Sequence, residues 1–444
     1  MANSYLNRVN SSSTVAERRQ FTISVWLKRS GLGYTAICSA GNGGGSEEFS
    51  MRFDTNNKLD VFHFDSSSYV GRLTTTRRFR DTSAWYHIVF QYDSPNSTAG
   101  DRMKLYVNGV EETAFDTDTN PTQNDNNAWN VDERHQIGSN SWANSGNGSN
   151  FFDGYISHFA NVAGSIVAPT SFGETDSTSG IWKFKPPSGV NFGTNGFHLK
   201  FENSGNLGLD SANSNNFTTQ GNLKQSLSTP STIYGTLSNQ IVPWASSTVA
   251  TNGNTTITCP SGTEGTSMVT IGVNTGKWYC EMKQGDSNDV YIGVGAETFI
   301  SDNLLNAYSG ATHNATTGLL VKHSNGTRYV NGSSSSGIFA STGSGDVTGI
   351  ALDLDAATRT VTFYKNGVVD SAGAQNLPTN MQSGFLFPVC MVLDNSIVHL
   401  NTGDGFFGTT AITSAGSNGN GSLFEFDCPA NHYAINTKNL NTYG

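Results

Sequence analysis

"DRMKLYVNGVEE", Asp101 to Glu112, reads as a strand, a two-residue turn and the start of a returning strand. Asn108-Gly109 supplies the two positive-φ positions of a type I′ turn, and Leu105 and Val107 alternate with Lys104 and Tyr106 on the entering strand. A near copy, "TFYKNGVVD", stands at Thr362 to Asp370, with Asn366-Gly367 at its turn. An Asn-Gly hairpin stabilises many β proteins and carries little functional information. Its repetition so far along one chain predicts two related β modules, each copy closing an outer edge of its own sheet.

The text around the first hairpin supports this. "FTISVWLKR", "FSMRFDT", "LDVFHFD", "AWYHIVFQYD" and "FFDGYISHFANV" follow one another from Phe21 as short strands cut by turn residues. In "FTISVWLKR", Phe21, Ile23, Val25 and Leu27 share one face, predicted to be core, with Thr22, Ser24 and Lys28 on a wet face interrupted by Trp26. "AWYHIVFQY" is apolar on both faces and suits an inner strand of stacked layers. After Trp244 strand text resumes with "KWYCEMK", "VYIGVGA", "GIALDLDAATRTVTFYKNGV", "FPVCMVL" and "SIVHLNTG". Between the two lies a Gly-, Asn- and Ser-rich stretch. Its "GFHLKFENS" still alternates, and its Trp182, Phe184, Phe192 and Phe217 need a surface to bury against. The reading is an all-β chain of two β-sandwich, jelly-roll-like domains, 1–167 and 245–444, joined by an ordered, strand-containing connector, 168–244.

Composition agrees. Across 444 residues there are 49 glycines, 11 % aromatics and only 14 % charged residues, with few runs that sustain a helix. A net charge of −10 repels phosphate backbones and anionic membranes, so nucleic acid is not expected as a partner. The basic run Arg77-Arg78-Phe79-Arg80 reads as a solvated hairpin edge. No apolar stretch approaches a membrane span and the N-terminus carries no signal peptide, which predicts synthesis in the cytoplasm without membrane insertion. Cys38, Cys259, Cys280, Cys390 and Cys428 have no metal spacing and read as reduced core thiols.

"FRDTSAWYHIVFQYDS", "RMKLYVNGV", "HQIGSNS" and "FFDGYISHFA" arrive in an order that resembles the laminin-G/concanavalin-A-like fold. "GKWYCEM", "YIGVG", "VTGIALDLDAATRTVTFYKNGV", "LFPVCMVLDN" and "VHLNTGDGFF" are similar to a SPRY domain. The whole arrangement, with the connector and the ending "YAINTKNL", resembles virion proteins of tailed, marine-type bacteriophages. That resemblance implies a structural protein of the particle, a tail-fibre or receptor-binding component. Its partners would be other virion proteins and a host-surface glycan or protein, and it would form a homo-oligomer such as a trimer, for avidity.

The sequence carries no recognisable catalytic signature. The glucanases of the first fold use Glu-x-Asp-x-x-Glu on a sheet-lining strand, whereas Glu174-Thr175-Asp176 lies in the connector without a third acid. Asp353 and Asp355 share a strand face but read as structural, and His87 reads as a satisfied core or edge residue. No nucleophile elbow, zinc-protease or phosphate-loop motif occurs. The chain is therefore expected not to be an enzyme, with no catalytic or metal site and no cofactor. Calcium on Asp116, Asp118 and Asp125 is considered, but the spacing is not specific. Binding is expected on loop aromatics: Trp129 and Trp142 in the first domain, and Tyr308, Arg328 and Tyr329 in the second. The alternative to host attachment is capsid or tail decoration, and glycan hydrolysis ranks below both.

Overall fold

The computed structural model describes residues 4–41, 47–140, 148–238, 242–243, 249–286, 289–299, 317–413, 416 and 421–444. It contains two compact units, Met1–Gln225 and Ser226–Gly444, each built from stacked antiparallel sheets. The helices among the described residues are short, Val15–Arg19 and Thr437–Tyr443. All five cysteines are free thiols, four buried and Cys428 half-buried.

In the first unit an eight-stranded sheet runs in the order Phe115–Thr119, Ser68–Arg78, Lys58–Asp65, Glu47–Phe53, Thr35–Gly41, Arg134–Ile137, Tyr5–Val9, Thr218–Gln220. Facing it is a six-stranded sheet: Phe197–Leu199, Gly154–Ala163, Gln20–Arg29, Trp85–Asp93, Met103–Val107, Val110–Glu111. Period-two alternation sends Phe21, Ile23, Val25 and Leu27 from one sheet and Phe49, Met51, Phe53, Leu59 and Val61 from the other into one buried cluster.

The opposite face of Gln20–Arg29 is not wet. Thr22, Ser24, Trp26 and Lys28 are all buried, Thr22 against Ser165 and Val167, Lys28 against Tyr155, and Trp26 under chain from the predicted connector that lies on this face as a third layer. The Gly173–Thr175/Trp182–Phe184 hairpin stacks Phe184 on His158 and lays the Trp182 ring alongside His87, which itself stacks on Trp26. Trp182 Nε1 donates to His87 Nδ1 at 3.0 Å, and His87 Nε2 meets Ser24 Oγ at 2.8 Å. Phe197–Leu199 and Thr218–Gln220 extend the two sheets, so this stretch is built into the first unit as far as Gln225.

The second unit repeats the plan. A seven-stranded sheet runs Val242–Pro243, Glu264–Met268, Leu386–Leu393, Val290–Ala296, Gly318–Lys322, Thr327–Val330, Ser333–Ser335. The facing nine-stranded sheet follows the path Val249–Thr251, Thr256–Thr258, Ile397–Asn401, Lys277–Gln284, Val347–Asp353, Thr360–Lys365, Val368–Val369. Gln375–Asn376 and Tyr433–Ala434 branch from that path. Trp278, Ile292, Ile350, Phe363, Cys390 and Leu400 lie in the core between them. The outer face of the larger sheet is again covered, with Tyr279 and Ala351 buried against Phe424 and Ala434 from near the chain's end.

Each Asn-Gly hairpin closes the edge of the sheet that carries such a cover, and the two are built alike. Asn108 exchanges two hydrogen bonds with the adjacent strand: its backbone N–H donates to His87 O, and its Oδ1 accepts from His87 N, both at 2.8 Å. Asn366 does the same with Val347, at 2.9 and 2.8 Å. The following glycines have φ of +78° and +79°. A Cβ on Gly109 would lie 2.5 Å from the Trp182 ring, and one on Gly367 would lie 2.7 Å from the Phe426 ring. A side chain is excluded by backbone conformation and by the covering aromatic together.

A buried glutamate ties down each cover. Glu17 Oε1 accepts from Thr194 N and Asn195 N at 2.8 and 3.1 Å. Glu281 accepts from Glu425 N at 2.8 Å and Phe426 N at 2.9 Å, with Asn401 Nδ2 at 3.3 Å. Burial raises the Glu281 pKa to about 7, and the backbone donors partly offset that rise.

Candidate binding face

The sequence-based candidates occupy very different environments. Trp129 is 0 % exposed and belongs to the first core, its ring against Phe49 and its Nε1 donating to Asn161 Oδ1 at 2.9 Å. It cannot stack on a sugar: the polar, strand-poor context that suggested a loop tip encloses a residue folded inward. Arg328 is half-buried. It pairs with Val321, a core residue, and its Nη1 donates to Gln375 Oε1 at 2.7 Å, so it bridges the rims of two sheets. Tyr329 points the other way and packs edge-on against Tyr291 on the apolar outer face of the seven-stranded sheet. Trp142 and Tyr308 lie outside the described residues.

The aspartates considered for calcium take separate partners. Asp116 pairs with Lys58, Asp118 accepts from Asn120, and Asp125 sits between His63 Nδ1 at 3.0 Å and Tyr92 OH at 2.5 Å. Among the described residues no group of three His, Cys, Asp or Glu could hold a metal ion. Glu174 and Asp176 both pair with Lys183, Asp353 pairs with Lys277 at 2.7 Å, and Asp355 caps Gly276 N. No described helix is long and apolar enough to cross a membrane.

The sequence reading missed a polar and aromatic face on the eight-stranded sheet, on the side turned away from the core. Register places Arg52 opposite Asp60, and Asp60 opposite Thr74, on three adjacent strands. Asp60 is 0 % exposed and fully engaged. It accepts from Arg52 Nε at 3.0 Å, from Arg72 Nε and Nη2 at 2.8 and 3.1 Å, and from Thr74 Oγ1 at 2.8 Å. Two cations around one buried anion satisfy its desolvated charge and leave this three-residue cluster net positive.

Aromatic rings frame this network. The Arg52 guanidinium lies over Phe62 at 4.5 Å and Tyr34 at 4.9 Å, and donates to the Tyr34 hydroxyl. Arg72 lies 4.5 Å over Tyr69, which stays 43 % exposed while packing edge-on against Phe62 and Phe64. An exposed phenol ring beside fixed guanidinium donors offers a sugar both an apolar stacking surface and directional hydrogen bonds. The signal lay in the alternation "EFSMRF" and "LDVFHF", whose outward residues Arg52, Asp60 and Phe62 are polar or aromatic in register.

Towards the far end of Glu47–Phe53 this face becomes buried. Glu48 is 3 % exposed, and its carboxylate oxygens, Ser50 Oγ and Gln136 Nε2 make no hydrogen bond that meets geometric criteria. Burial pushes the Glu48 pKa up to about 7, with Arg52 and Asn140 opposing the shift. Glu48 and Asp60 stand well apart along this face. Asp60 is opposite Arg52, four residues from Glu48 along the strand, which is roughly 13 Å, whereas the two-carboxylate mechanisms need about 5–10 Å.

Comparison with known proteins matches this architecture. Residues 3–163 match the model of the concanavalin A-like lectin/glucanases superfamily, a laminin G type, and residues 277–405 match that of the SPRY domain. No curated protein matches the chain. Among solved structures, the SPRY domain of human HERC1 is 19 % identical, covering 37 % of this chain and 96 % of its own, with a TM-score of 0.29. A human SPRY domain is 19 % identical over 33 % and 90 % of the two chains, with a TM-score of 0.26. The TRIM65 PSpry domain is 16 % identical over 38 % and 88 %, with a TM-score of 0.29. The protein thus joins an N-terminal concanavalin A-like (laminin G) domain to a C-terminal SPRY domain, two β-sandwiches in one chain.

Proposed function

We propose that this is a non-enzymatic structural protein of a bacteriophage virion, a tail-fibre or receptor-binding component that engages a glycan on the host surface. The observation that carries the binding part is the Tyr34–Arg52–Asp60–Arg72–Tyr69 face, rigid on a sheet and fitted for stacking plus hydrogen bonding. The virion setting rests on the resemblance of the whole arrangement to tailed-phage proteins. A homo-oligomer, a trimer in the simplest case, would multiply weak contacts into avidity.

Host adsorption and glycan-array binding of Tyr69→Ala and Arg72→Ala test the reading, with circular dichroism to confirm folding. Loss of binding in the folded variants supports it; full retention in both overturns the assignment of this face. A second reading, decoration or assembly by contact with other virion proteins, draws on exposed valines at the hairpin edges. Val110 and Val368 are each 70 % exposed on two-residue outer strands. It predicts incorporation into particles that survives Tyr69→Ala but fails on Val110→Lys or Val368→Lys. Release of reducing sugar from host polysaccharide would overturn the non-enzymatic part.

A further inference from the structure

Asn-Gly is the dipeptide most open to self-modification, because glycine leaves its own nitrogen unhindered next to the asparagine amide. Six such pairs fall wholly among the described residues: Asn108, Asn195, Asn252, Asn325, Asn331 and Asn366, each followed by glycine. Five have their side chains held. Asn108 Oδ1 accepts from His87 N at 2.8 Å. Asn366 Oδ1 accepts from Val347 N at 2.8 Å, and its Nδ2 donates to Asp346 Oδ1 at 2.7 Å. Asn195 is buried and donates to Ser12 O and Glu17 Oε2, both at 3.0 Å. Asn325 Oδ1 accepts from Thr327 N at 3.1 Å, and Asn252 Nδ2 donates to Thr256 Oγ1 at 3.1 Å.

Asn331 differs. It is exposed, its φ is +49°, and its amide makes no hydrogen bond among the described residues. It turns the hairpin between Thr327–Val330 and Ser333–Ser335, and the latter is the outermost strand of its sheet. Three serines, two of them exposed, bury almost nothing, so this edge has little to oppose local opening.

We propose that Asn331 is a site of spontaneous deamidation, and that the two edge-closing hairpins at Asn108 and Asn366 are protected by the hydrogen bonds of their amides. When the turn opens, the Gly332 nitrogen loses its proton and attacks Asn331 Cγ. The new N–Cγ bond closes a five-membered succinimide, and the Cγ–Nδ2 bond breaks as ammonia leaves with the proton. Water then opens the ring at Cγ to give aspartate, or at the main-chain carbonyl to give isoaspartate. Nothing is oxidised or reduced, and water is the sole co-reactant. The product places a new negative charge in the turn that leads to the outermost strand, and isoaspartate lengthens the backbone within that turn.

A hydrogen bond that must break first slows attack about tenfold. Incubation of the full chain at mildly alkaline pH, with peptide mapping by mass spectrometry over time, is expected to show the Asn331 peptide converting about tenfold faster than those of Asn108 and Asn366. In urea the three rates should converge, and Asn331→Gln should remove the corresponding acidic charge variant. Equal native rates for Asn331 and Asn108, or an Asn331 peptide that persists unmodified as long as that of Asn366, would overturn the proposal.

Discussion

Replacing Gly367 and Gly373 by alanine, separately, isolates the energy of the covering layer in the second unit. Both glycines have left-handed backbone, φ +79° and +61°, so each alanine bears a conformational cost of roughly 1–2 kcal/mol. Nothing lies within 4 Å of a Cβ on Gly373, so its variant should stop there. A Cβ on Gly367 would meet Phe426 Cδ1, Cγ and Cβ at 2.7, 2.9 and 3.0 Å. The ring must move with its backbone, whose N–H donates to Glu281 Oε1 at 2.9 Å. Losing a hydrogen bond to a charged acceptor costs about 1.5–3 kcal/mol. Gly367→Ala should therefore destabilise the second unit by about 2 kcal/mol more than Gly373→Ala does. Urea unfolding at pH 8 measures the difference, and hydrogen exchange locates it, with faster exchange at Glu425 and Phe426 in the first variant only. Equal costs within about 0.5 kcal/mol, or unchanged exchange at those amides, would refute the idea that the aromatic cover and the hairpin form one packed unit.

Trp129→Ala should destabilise the first unit by about 3–5 kcal/mol through a core cavity and the loss of its bond to Asn161, while glycan binding per folded molecule is unchanged; thermal melting and binding titration separate the two. Glu48 and Glu281 each have a folded pKa of about 7, above the ordinary 4.5. Their favourable contribution is present in full below the unfolded value and is lost as pH rises through 7, by about 3 kcal/mol each at pH 8. Urea midpoints should thus fall from pH 5 to pH 8, and Glu48→Gln should flatten that slope in the first unit. Arg328→Ala should leave glycan binding intact and speed exchange around Gln375 by loosening the bridge between sheets; a loss of glycan binding with folding intact would return Arg328 to the ligand contacts.

Much of the architecture was legible because period-two patterning and Asn-Gly turns are local signals. Leu105 and Val107 alternate correctly whatever the rest of the chain does. The covered outer faces were not legible from Gln20–Arg29 itself. Ser24 and Lys28 look solvent-facing until Trp182 and Phe184, remote in sequence, are laid across neighbouring side chains. Trp129 misled for the same reason: a tryptophan among Asn and Asp reads as a loop tip, and only long-range packing against Phe49 and His135 reveals it as core. The Arg52–Asp60–Arg72 face was written in the alternation of its strands, but pairing them requires the register, which hydrophobic pattern alone does not fix between like strands.

The downstream origin of both covers bears on how the chain is born at the ribosome. Each sandwich can pair its first strands early, yet Trp26 and His87 stay bare until Trp182 is translated, and Tyr279 until Phe424 emerges. Fragments cut at the limits of sequence similarity, after residue 163 or 405, would freeze each half in that unsealed state. Soluble halves call for a cut at Gln225 and a second fragment that runs from Ser226 through Gly444.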